Sequence, residues 1–180
     1  ADYNNDGWQD LFITSHGISE TAAVGYHRLY KNNQGVDFVD VATEAGVNLS
    51  SSSLVDGFGS TFGDYDLDGD LDLFVTGWRS GGKGNRLFRN NRDGTFTDIT
   101  ENAGPFNNGL RGFSPCFADM DGDRYPELLV AGDFNSSRYF VNNRDGTFTD
   151  QSLAAGIKLP AYGMGSALGD FNNDGFIDWY

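Results

Sequence analysis

An aspartate-rich loop that recurs four times constrains the fold of this chain more than any other feature. Each copy places carboxylate or amide side chains at positions 1, 3 and 5 and a carboxylate at position 9, and a short apolar segment follows. The copies begin at Asp2, Asp64, Asp119 and Asp170, so that their starts are 62, 55 and 51 residues apart. Self-similarity at such a spacing indicates internal repeats, each forming one supersecondary unit.

A second motif keeps the same spacing. Residues 28–33 read Arg-Leu-Tyr-Lys-Asn-Asn, and related sequences recur at 86–91 and 138–143. Each copy then continues to a phenylalanine, an acidic residue and an Ala-Gly pair, at Phe38, Asp40 and 45–46, at Phe96, Asp98 and 103–104, and at Phe148, Asp150 and 155–156. Two motifs that agree over three copies are not expected by chance.

Each unit predicts four short strands, and no segment has a strong helical period. In the second unit they are a strand of small residues at 57–63, an apolar strand at 73–76 after the aspartate loop, the 86–91 motif, and 95–99. The Asp93-Gly94 pair predicts the tight turn before the last strand. Four strands in a unit of roughly 40–60 residues indicate a blade of a β-propeller, in which small residues fit the crowded inner strand.

We therefore predict an all-β fold, a β-propeller segment of three full four-stranded blades and a partial one. A single segment spans residues 1–180, with units at about 2–63, 64–118, 119–169 and 170–180. A propeller usually has about 4–8 blades, and both ends of the sequence fall inside a motif. The expectation is a fragment of a larger propeller, associated with the rest of a longer chain or with copies of itself.

The spacing of the loops fits a Ca²⁺ site. Ca²⁺ takes 6–8 oxygen ligands, and side chains at positions 1, 3, 5 and 9 with a carbonyl at position 7 can converge on one point. Glycine at position 6, present as Gly7, Gly69 and Gly175, allows the sharp turn. The candidate ligands are Asp2, Asn4, Asp6, Trp8 and Asp10; Asp64, Asp66, Asp68, Asp70 and Asp72; Asp119, Asp121, Asp123, Tyr125 and Glu127; and Asp170, Asn172, Asp174, Phe176 and Asp178.

Other interpretations of these loops fit less well. Asp, Asn and Gly also form ordinary turns, but four copies in register favour calcium. The loop is not an EF-hand, because position 12 is Ile13, Val75 or Val130 instead of a bidentate glutamate. The lack of Cys and His near the loops disfavours zinc, and Mg²⁺ dehydrates reluctantly. We predict up to four Ca²⁺ sites, of which the Asp119 loop is the weakest, because Arg124 replaces the glycine at position 6. Gly122, two residues earlier, would let the backbone of this loop follow a different path.

The negative net charge of the chain disfavours some classes of binding partner. The chain has 12 basic and 26 acidic residues, a net charge of −14, which disfavours nucleic acid and anionic membranes as partners. No apolar stretch is long enough to span a membrane. Fourteen of the acidic residues are candidate side-chain ligands at positions 1, 3, 5 and 9 of the loops, and four bound Ca²⁺ would bring the net charge to about −6.

The loops resemble the FG-GAP and VCBS repeats of calcium-binding β-propellers, including those of integrin α chains, most clearly at residues 62–69. The segments at 38–46 and 96–104 resemble the subgroup that contains cartilage acidic protein. The resemblance covers essentially the whole chain. It implies the fold and the metal loop, whereas members of the family serve in adhesion, in matrix assembly and as enzyme scaffolds.

Three functions stay open from the sequence. The first is recognition of a glycan or an extracellular protein, which variable loops with aromatic and polar residues suit. The second is a scaffold that spaces other domains. A calcium-assisted polysaccharide lyase is the enzymatic alternative. Little in the sequence favours catalysis, because no nucleophile motif is present and His16 and His27 are the only histidines. The binding residues would include Tyr26, His27, Trp78, Arg79, Phe134 and Asn135, and the basic residues of a lyase would be Arg79, Lys83 and Arg86.

The sequence also predicts an extracellular, secreted protein, because calcium is abundant outside cells. Asn48-Leu49-Ser50 and Asn135-Ser136-Ser137 are N-glycosylation triplets in predicted loops, which would permit glycans in a eukaryote.

Overall fold

Four antiparallel sheets follow one another along the chain in the computed structural model, which describes residues 1–15, 26–49, 57–78, 84–157 and 162–180. The predicted all-β propeller segment is confirmed. The elements are β1 (Leu11–Ile13), β2 (Arg28–Asn33), β3 (Asp37–Asp40), β4 (Gly57–Gly63), β5 (Asp72–Gly77), β6 (Arg86–Asn90), β7 (Phe96–Asp98), α1 (Thr100–Ala103), β8 (Gly112–Ala118), β9 (Glu127–Gly132), β10 (Arg138–Asn142), β11 (Phe148–Asp150), β12 (Leu168–Gly169) and β13 (Asp178–Trp179).

Neighbouring strands in the sequence pair within each sheet. The second sheet has the order β4-β5-β6-β7 and the third β8-β9-β10-β11, as expected of a full blade, whereas the first has three strands (β1-β2-β3) and the last two (β12-β13). In the second, third and fourth sheets the aspartate loop connects the first strand to the second. The described residues contain one helical turn, α1, where the sequence predicted none, and it precedes the Gly104 bend.

Small residues let the first strands of the second and third sheets approach each other closely. A Cβ atom on Gly59 would lie 1.9 Å from the carbonyl oxygen of Phe113, and one on Gly63 would lie 2.6 Å from the Phe117 ring. Real Cβ atoms do not come this close, so only glycine fits. The predicted reason for the small residues of this strand is thus confirmed.

The hydrophobic core lies between successive sheets. One cluster joins the first two sheets through Leu29, Leu73 and Phe88. The other joins the second and third sheets and is centred on Phe106, which is fully buried. Its ring centroid lies 5.3 Å from that of Phe74 and 5.1 Å from that of Phe140.

An ion pair recurs between the last two strands of each of the first three sheets. Arg86 lies 3.2 Å from Asp98, and Arg138 lies 3.3 Å from Asp150. Arg28 and Asp40 form the same pair in the first sheet. Arg86 was a candidate basic residue of a lyase, but its side chain is only 6% exposed and already paired, so this assignment is wrong. The other two candidates, Arg79 and Lys83, lie outside the described residues, as does His16.

His27 is buried, although the sequence assigned it to an exposed binding loop. Its side chain is 0% exposed, because it packs against Phe12 and fills the space beside Gly57, where a Cβ atom would lie 2.4 Å from the ring. Its Nδ1 accepts a hydrogen bond from the Ser15 backbone N–H at 3.0 Å, and its Nε2 has no partner. Burial lowers the pKa of His27 to about 4.

We expect His27 to make the protein sensitive to mild acid. Its pKa is about 6.5 when unfolded and about 4 when folded, so the unfolded chain binds the proton more tightly. The stability from neutral His27 is complete above pH 6.5 and is lost as pH falls toward 4, up to about 3 kcal/mol. Urea unfolding at pH 7 and pH 4.5 should show this loss in the wild type, and His27→Asn should remove it. An equal acid loss in both proteins would contradict the assignment.

Candidate metal centre

The second, third and fourth aspartate loops join the first strand of a sheet to the second, and the first loop precedes β1. Each loop is folded by its own first carboxylate. In the second loop the Asp64 carboxylate accepts the backbone N–H groups of Asp68 and Gly69, both at 3.0 Å. Asp2, Asp119 and Asp170 accept the N–H groups at the same positions of their own loops. The four loops therefore share one local structure, as their sequences predicted.

Two positions of each loop have left-handed backbone. Position 6 has φ of 88° at Gly7, 92° at Gly69 and 89° at Gly175, which confirms the role of the glycine. Arg124 takes the same conformation with φ of 81°, so the third loop keeps the common path and does not use Gly122 to find another. Position 4, which the sequence pattern did not indicate, also has positive φ and is occupied by Asn5, Leu67, Gly122 and Asn173.

The second and third loops each gather three carboxylates. Oxygens of Asp64, Asp66 and Asp72 all lie within 4.8 Å of one another, and so do oxygens of Asp119, Asp121 and Glu127. These are the side chains predicted at positions 1, 3 and 9. Among the described residues they are the groups of three His, Cys or acidic side chains that could hold a metal ion.

The closing carboxylates at position 9 are buried, and burial disfavours their charge. Burial raises the pKa of Asp72 to about 7, and it also raises the pKa of Glu127. Asp66 and Asp121 add to these shifts, because a second negative charge nearby further favours the neutral acid. A cation at the centre of either group would reverse this preference.

A buried oxygen without a partner tests whether a cation fits. Glu127 is 0% exposed, its Oε2 accepts the Met120 N–H at 2.8 Å, and its Oε1 has no hydrogen-bond partner. Oδ1 of Asp66 is likewise buried and unpartnered. Buried polar atoms are nearly always satisfied, and an oxygen-only donor set suits a hard cation such as Ca²⁺. The residues of the second and third loops therefore fit a bound metal ion.

The position 5 carboxylates of the second and third loops are not members of these groups of three and contact arginines. Arg92 reaches Asp68 at 3.0 Å and Asp70 at 2.8 Å, and Arg144 contacts Asp123. Both arginines are exposed and sit at the turn between the third and fourth strands. They were not identified from the sequence, since only the fold brings this turn beside the loop. The position 7 residues donate their backbone N–H to the position 5 carboxylate, as Trp8, Asp70, Tyr125 and Phe176 all show.

The first and fourth loops have fewer charges. Asn4 and Asn172 accept the N–H of position 5 with their side-chain oxygens, as an aspartate would. Asp10 is 6% exposed and binds the Tyr3 N–H at 3.2 Å, and Asp178 binds the Phe171 N–H at 3.0 Å. In these two loops, as in the second and third, the position 9 carboxylate therefore accepts the backbone N–H of position 2, although position 3 is an amide.

An aromatic surface lies at the opposite end of the second and third sheets. It consists of Phe58, Trp78, Phe113, Phe134 and Tyr162. The first four lie at the starts of first strands or after second strands, away from the loops, and Tyr162 lies in the segment before β12. Ring centroids are 4.9 Å apart for Phe58 and Phe113, 6.3 Å for Trp78 and Phe134, and 5.4 Å for Phe134 and Tyr162. The surface therefore crosses from one sheet to the next as a row of neighbouring rings.

Polar groups are held within this aromatic surface. The Arg111 guanidinium lies 4.8 Å from the Phe134 ring centroid and 5.7 Å from that of Trp78. The indole N–H of Trp78 donates to Asp133 at 3.1 Å. Phe134 is 49% and Tyr162 72% exposed, so ring faces, a cation and a carboxylate meet water together.

Comparisons with known proteins agree with this fold. Three overlapping copies of a family described as FG-GAP-like repeat match residues 2–75, 64–130 and 119–180. No curated protein matches the chain. Among solved structures, the chain is similar to an Agrocybe aegerita lectin that specifically recognises non-reducing terminal N-acetylglucosamine, with a TM-score of 0.51 and 17% identity. The match covers 99% of this chain and 49% of that chain, so this chain spans about half the lectin's length, and at this identity the likeness shows the fold alone.

Proposed function

Since the chain belongs to the FG-GAP-like repeat family, we propose that it is a calcium-stabilised module that binds glycans. The observation that carries the calcium proposal is the buried carboxylate group of the third loop, where Oε1 of Glu127 has no partner. The same arrangement of Asp64, Asp66 and Asp72 supports a site in the second loop.

The proposed Ca²⁺ ligands are the side chains at positions 1, 3 and 9, completed by position 5 and the position 7 carbonyl. When bound, the ion supplies positive charge that neutralises the buried carboxylates. The loop residues themselves stabilise the fold, because they fix the connection to the strand that follows each loop. The first and fourth loops, with amides at position 3, would bind more weakly than the second.

The aromatic surface is the proposed glycan site. Sugar rings have apolar C–H faces and polar edges, so exposed aromatic faces can pack on the former. Arg111 and Asp133 supply a donor and an acceptor for hydroxyl groups beside Trp78 and Phe134. Aromatic side chains lose little conformational entropy on binding, and this surface is already ordered by its mutual ring contacts.

Removing two rings should abolish most glycan binding. We expect the double variant Trp78→Ala, Phe134→Ala to lose about 2 kcal/mol or more, at least about thirtyfold in affinity, as truncation of anchoring aromatics does. A glycan array that includes N-acetylglucosamine-terminated and other neutral oligosaccharides gives the ligand, and calorimetry gives the affinity. Phe38→Ala, which removes an exposed ring of β3, is the matched control. Unchanged binding in the double variant would contradict the site, and capture of proteins without any glycan would favour a protein partner.

Catalysis is the less supported alternative. A lyase needs a basic group that faces the substrate, whereas Arg86 is paired with Asp98 and His27 is buried with its Nδ1 occupied. The carboxylates that could act as acids are those gathered in the metal loops. Release of unsaturated sugars from acidic polysaccharides incubated with the protein and calcium would contradict a pure binding role.

We also propose an extracellular location, where calcium could fill loops with few charges. Asn135 is exposed, as a glycosylated asparagine must be, and Asn48 is partly exposed, although Ser50 of its triplet lies outside the described residues. Within the described ranges no helix is long and apolar enough to cross a membrane. Recovery of the native protein only from cytosol would contradict this location.

A further inference from the structure

A chain of hydrogen bonds connects the first aspartate loop with the second through Asn90. The Asn90 side-chain N–H donates to the backbone carbonyl of Tyr3 at 2.8 Å, and Tyr3 is position 2 of the first loop. The Asn90 backbone N–H donates to Oδ1 of Asp72, the closing carboxylate of the second loop, also at 2.8 Å. Asn90 is 4% exposed, so one buried residue holds parts of two candidate metal sites.

The closing carboxylates extend the chain in both directions. Asp10 accepts the Tyr3 N–H at 3.2 Å, and Oδ2 of Asp72 accepts the Tyr65 N–H at 3.3 Å. Asn142 then repeats the role of Asn90 at the next junction, since its side chain donates to the Tyr65 carbonyl at 2.8 Å. Position 2 of the first and second loops is thereby bound to the closing carboxylate of its own loop and to the following sheet.

We propose that Asn90 is a positioning residue that couples calcium binding in the first loop to calcium binding in the second. The proposal rests on the proposed calcium function and concerns how neighbouring sites act together. An ion in the first loop fixes Asp2 and Asn4, and therefore the Tyr3 carbonyl between them. This carbonyl holds the Asn90 side chain, whose backbone N–H orients Asp72 toward the second ion.

The coupling is positive and reciprocal. Each ion reduces the freedom of the hydrogen-bonded segment that the other ion must also order, so the second ion binds a site that is already arranged. By linkage, the second loop raises the affinity of the first by the same factor. Allosteric couplings are typically about 5- to 150-fold, and one buried side chain places this one near the lower end, at about tenfold.

Site-resolved titration tests the coupling in the intact chain. The Gly69 N–H donates to Asp64 and the Gly7 N–H donates to Asp2, so the amide NMR signals of these glycines report the second and first loops separately. Asp2→Asn, which weakens only the first loop, should lower the calcium affinity of the second loop about tenfold. Asp64→Asn should lower that of the first loop by the same factor. In an Asn90→Ala background, Asp2→Asn should change the second loop less than twofold.

Matched variants separate this inference from its alternatives. Asn91→Ala should leave the coupling intact, because Asn91 contacts only its own hairpin at Thr95 and Thr97 in the described contacts. Asn5→Gly, which removes the exposed contact of Asn5 with Asp70 and tolerates the left-handed backbone at this position, should also leave it. If Asn90→Ala does not fold, Asn90→Ser replaces it, because serine keeps a polar hydroxyl group at this buried position.

Two results would overturn the proposal. If Asp2→Asn and Asp64→Asn leave the affinity of the other loop unchanged, the loops are independent, although the proposed calcium function stands. If the coupling persists without the Asn90 side chain, another path carries it. A wild type whose Gly69 and Gly7 signals ignore calcium would overturn the proposed function, and this inference with it.

Discussion

Chelation with EDTA is expected to lower the melting temperature of this protein by tens of degrees or to unfold it. Metal that binds only the folded state contributes about 2.7 kcal/mol per site at a hundredfold excess over Kd. Four such sites would give about 11 kcal/mol, comparable with the roughly 5–15 kcal/mol stability of a whole domain. Each kcal/mol moves the melting temperature of a chain of this size by about 2–4 °C.

The carboxylates add to this effect once calcium is removed. The three-carboxylate groups of the second and third loops then repel one another without a cation between them. Added salt should recover part of the loss, because exposed charges are screened at high ionic strength. Thermal melts followed by circular dichroism, with and without EDTA at two salt concentrations, measure both effects, and calcium added back is the control. A melting temperature that EDTA does not change would show that the loops are ordinary turns.

Truncation of Phe106 should cause the largest loss from a single residue outside the metal loops. Its ring is fully buried and contacts Phe74, Phe140 and Phe148, with centroid distances of 5.3, 5.1 and 5.7 Å. Phe106→Ala would leave a cavity between the second and third sheets and cost about 3–5 kcal/mol. Urea unfolding in saturating calcium should show a lower midpoint with an unchanged slope.

The control for this truncation is Phe38→Ala. Phe38 is 54% exposed on β3, so its removal creates no cavity and should change stability by less than about 0.5 kcal/mol. Equal effects of the two substitutions would mean that Phe106 is not the centre of the junction between the sheets.

Much of the fold was predictable because the loop fixes its own structure. Asp64 accepts N–H groups four and five residues later, and Gly69 supplies the left-handed turn. These interactions are local, so the pattern of residues at 64–72 suffices to predict them. The strands follow for the same reason, since apolar residues after each loop and the Asp-Gly turns set their limits.

The rest depends on contacts between distant parts of the chain. Asn90 belongs to a motif visible in the sequence, yet its contact with Tyr3 spans 87 residues. Phe106 stands outside both repeated motifs, and only the packed sheets show what it fills. His27 was assigned to a loop because variable residues precede it, and the fold buries it against Phe12. Position 4 was missed because Leu67 gives no sign of its left-handed backbone.

The placement of the loops at one end of the sheets makes the molecule electrically asymmetric. The first three loops adjoin one another, as the contacts of Asn5 with Asp70 and of Asn142 with Tyr65 require, so their carboxylates form one negative region. The aromatic surface lies at the other end and holds Arg111. Near a negatively charged surface, such a charge distribution would orient the approaching molecule before contact. The loop end would be turned away and the aromatic end would arrive first, most strongly when no cation occupies the loops.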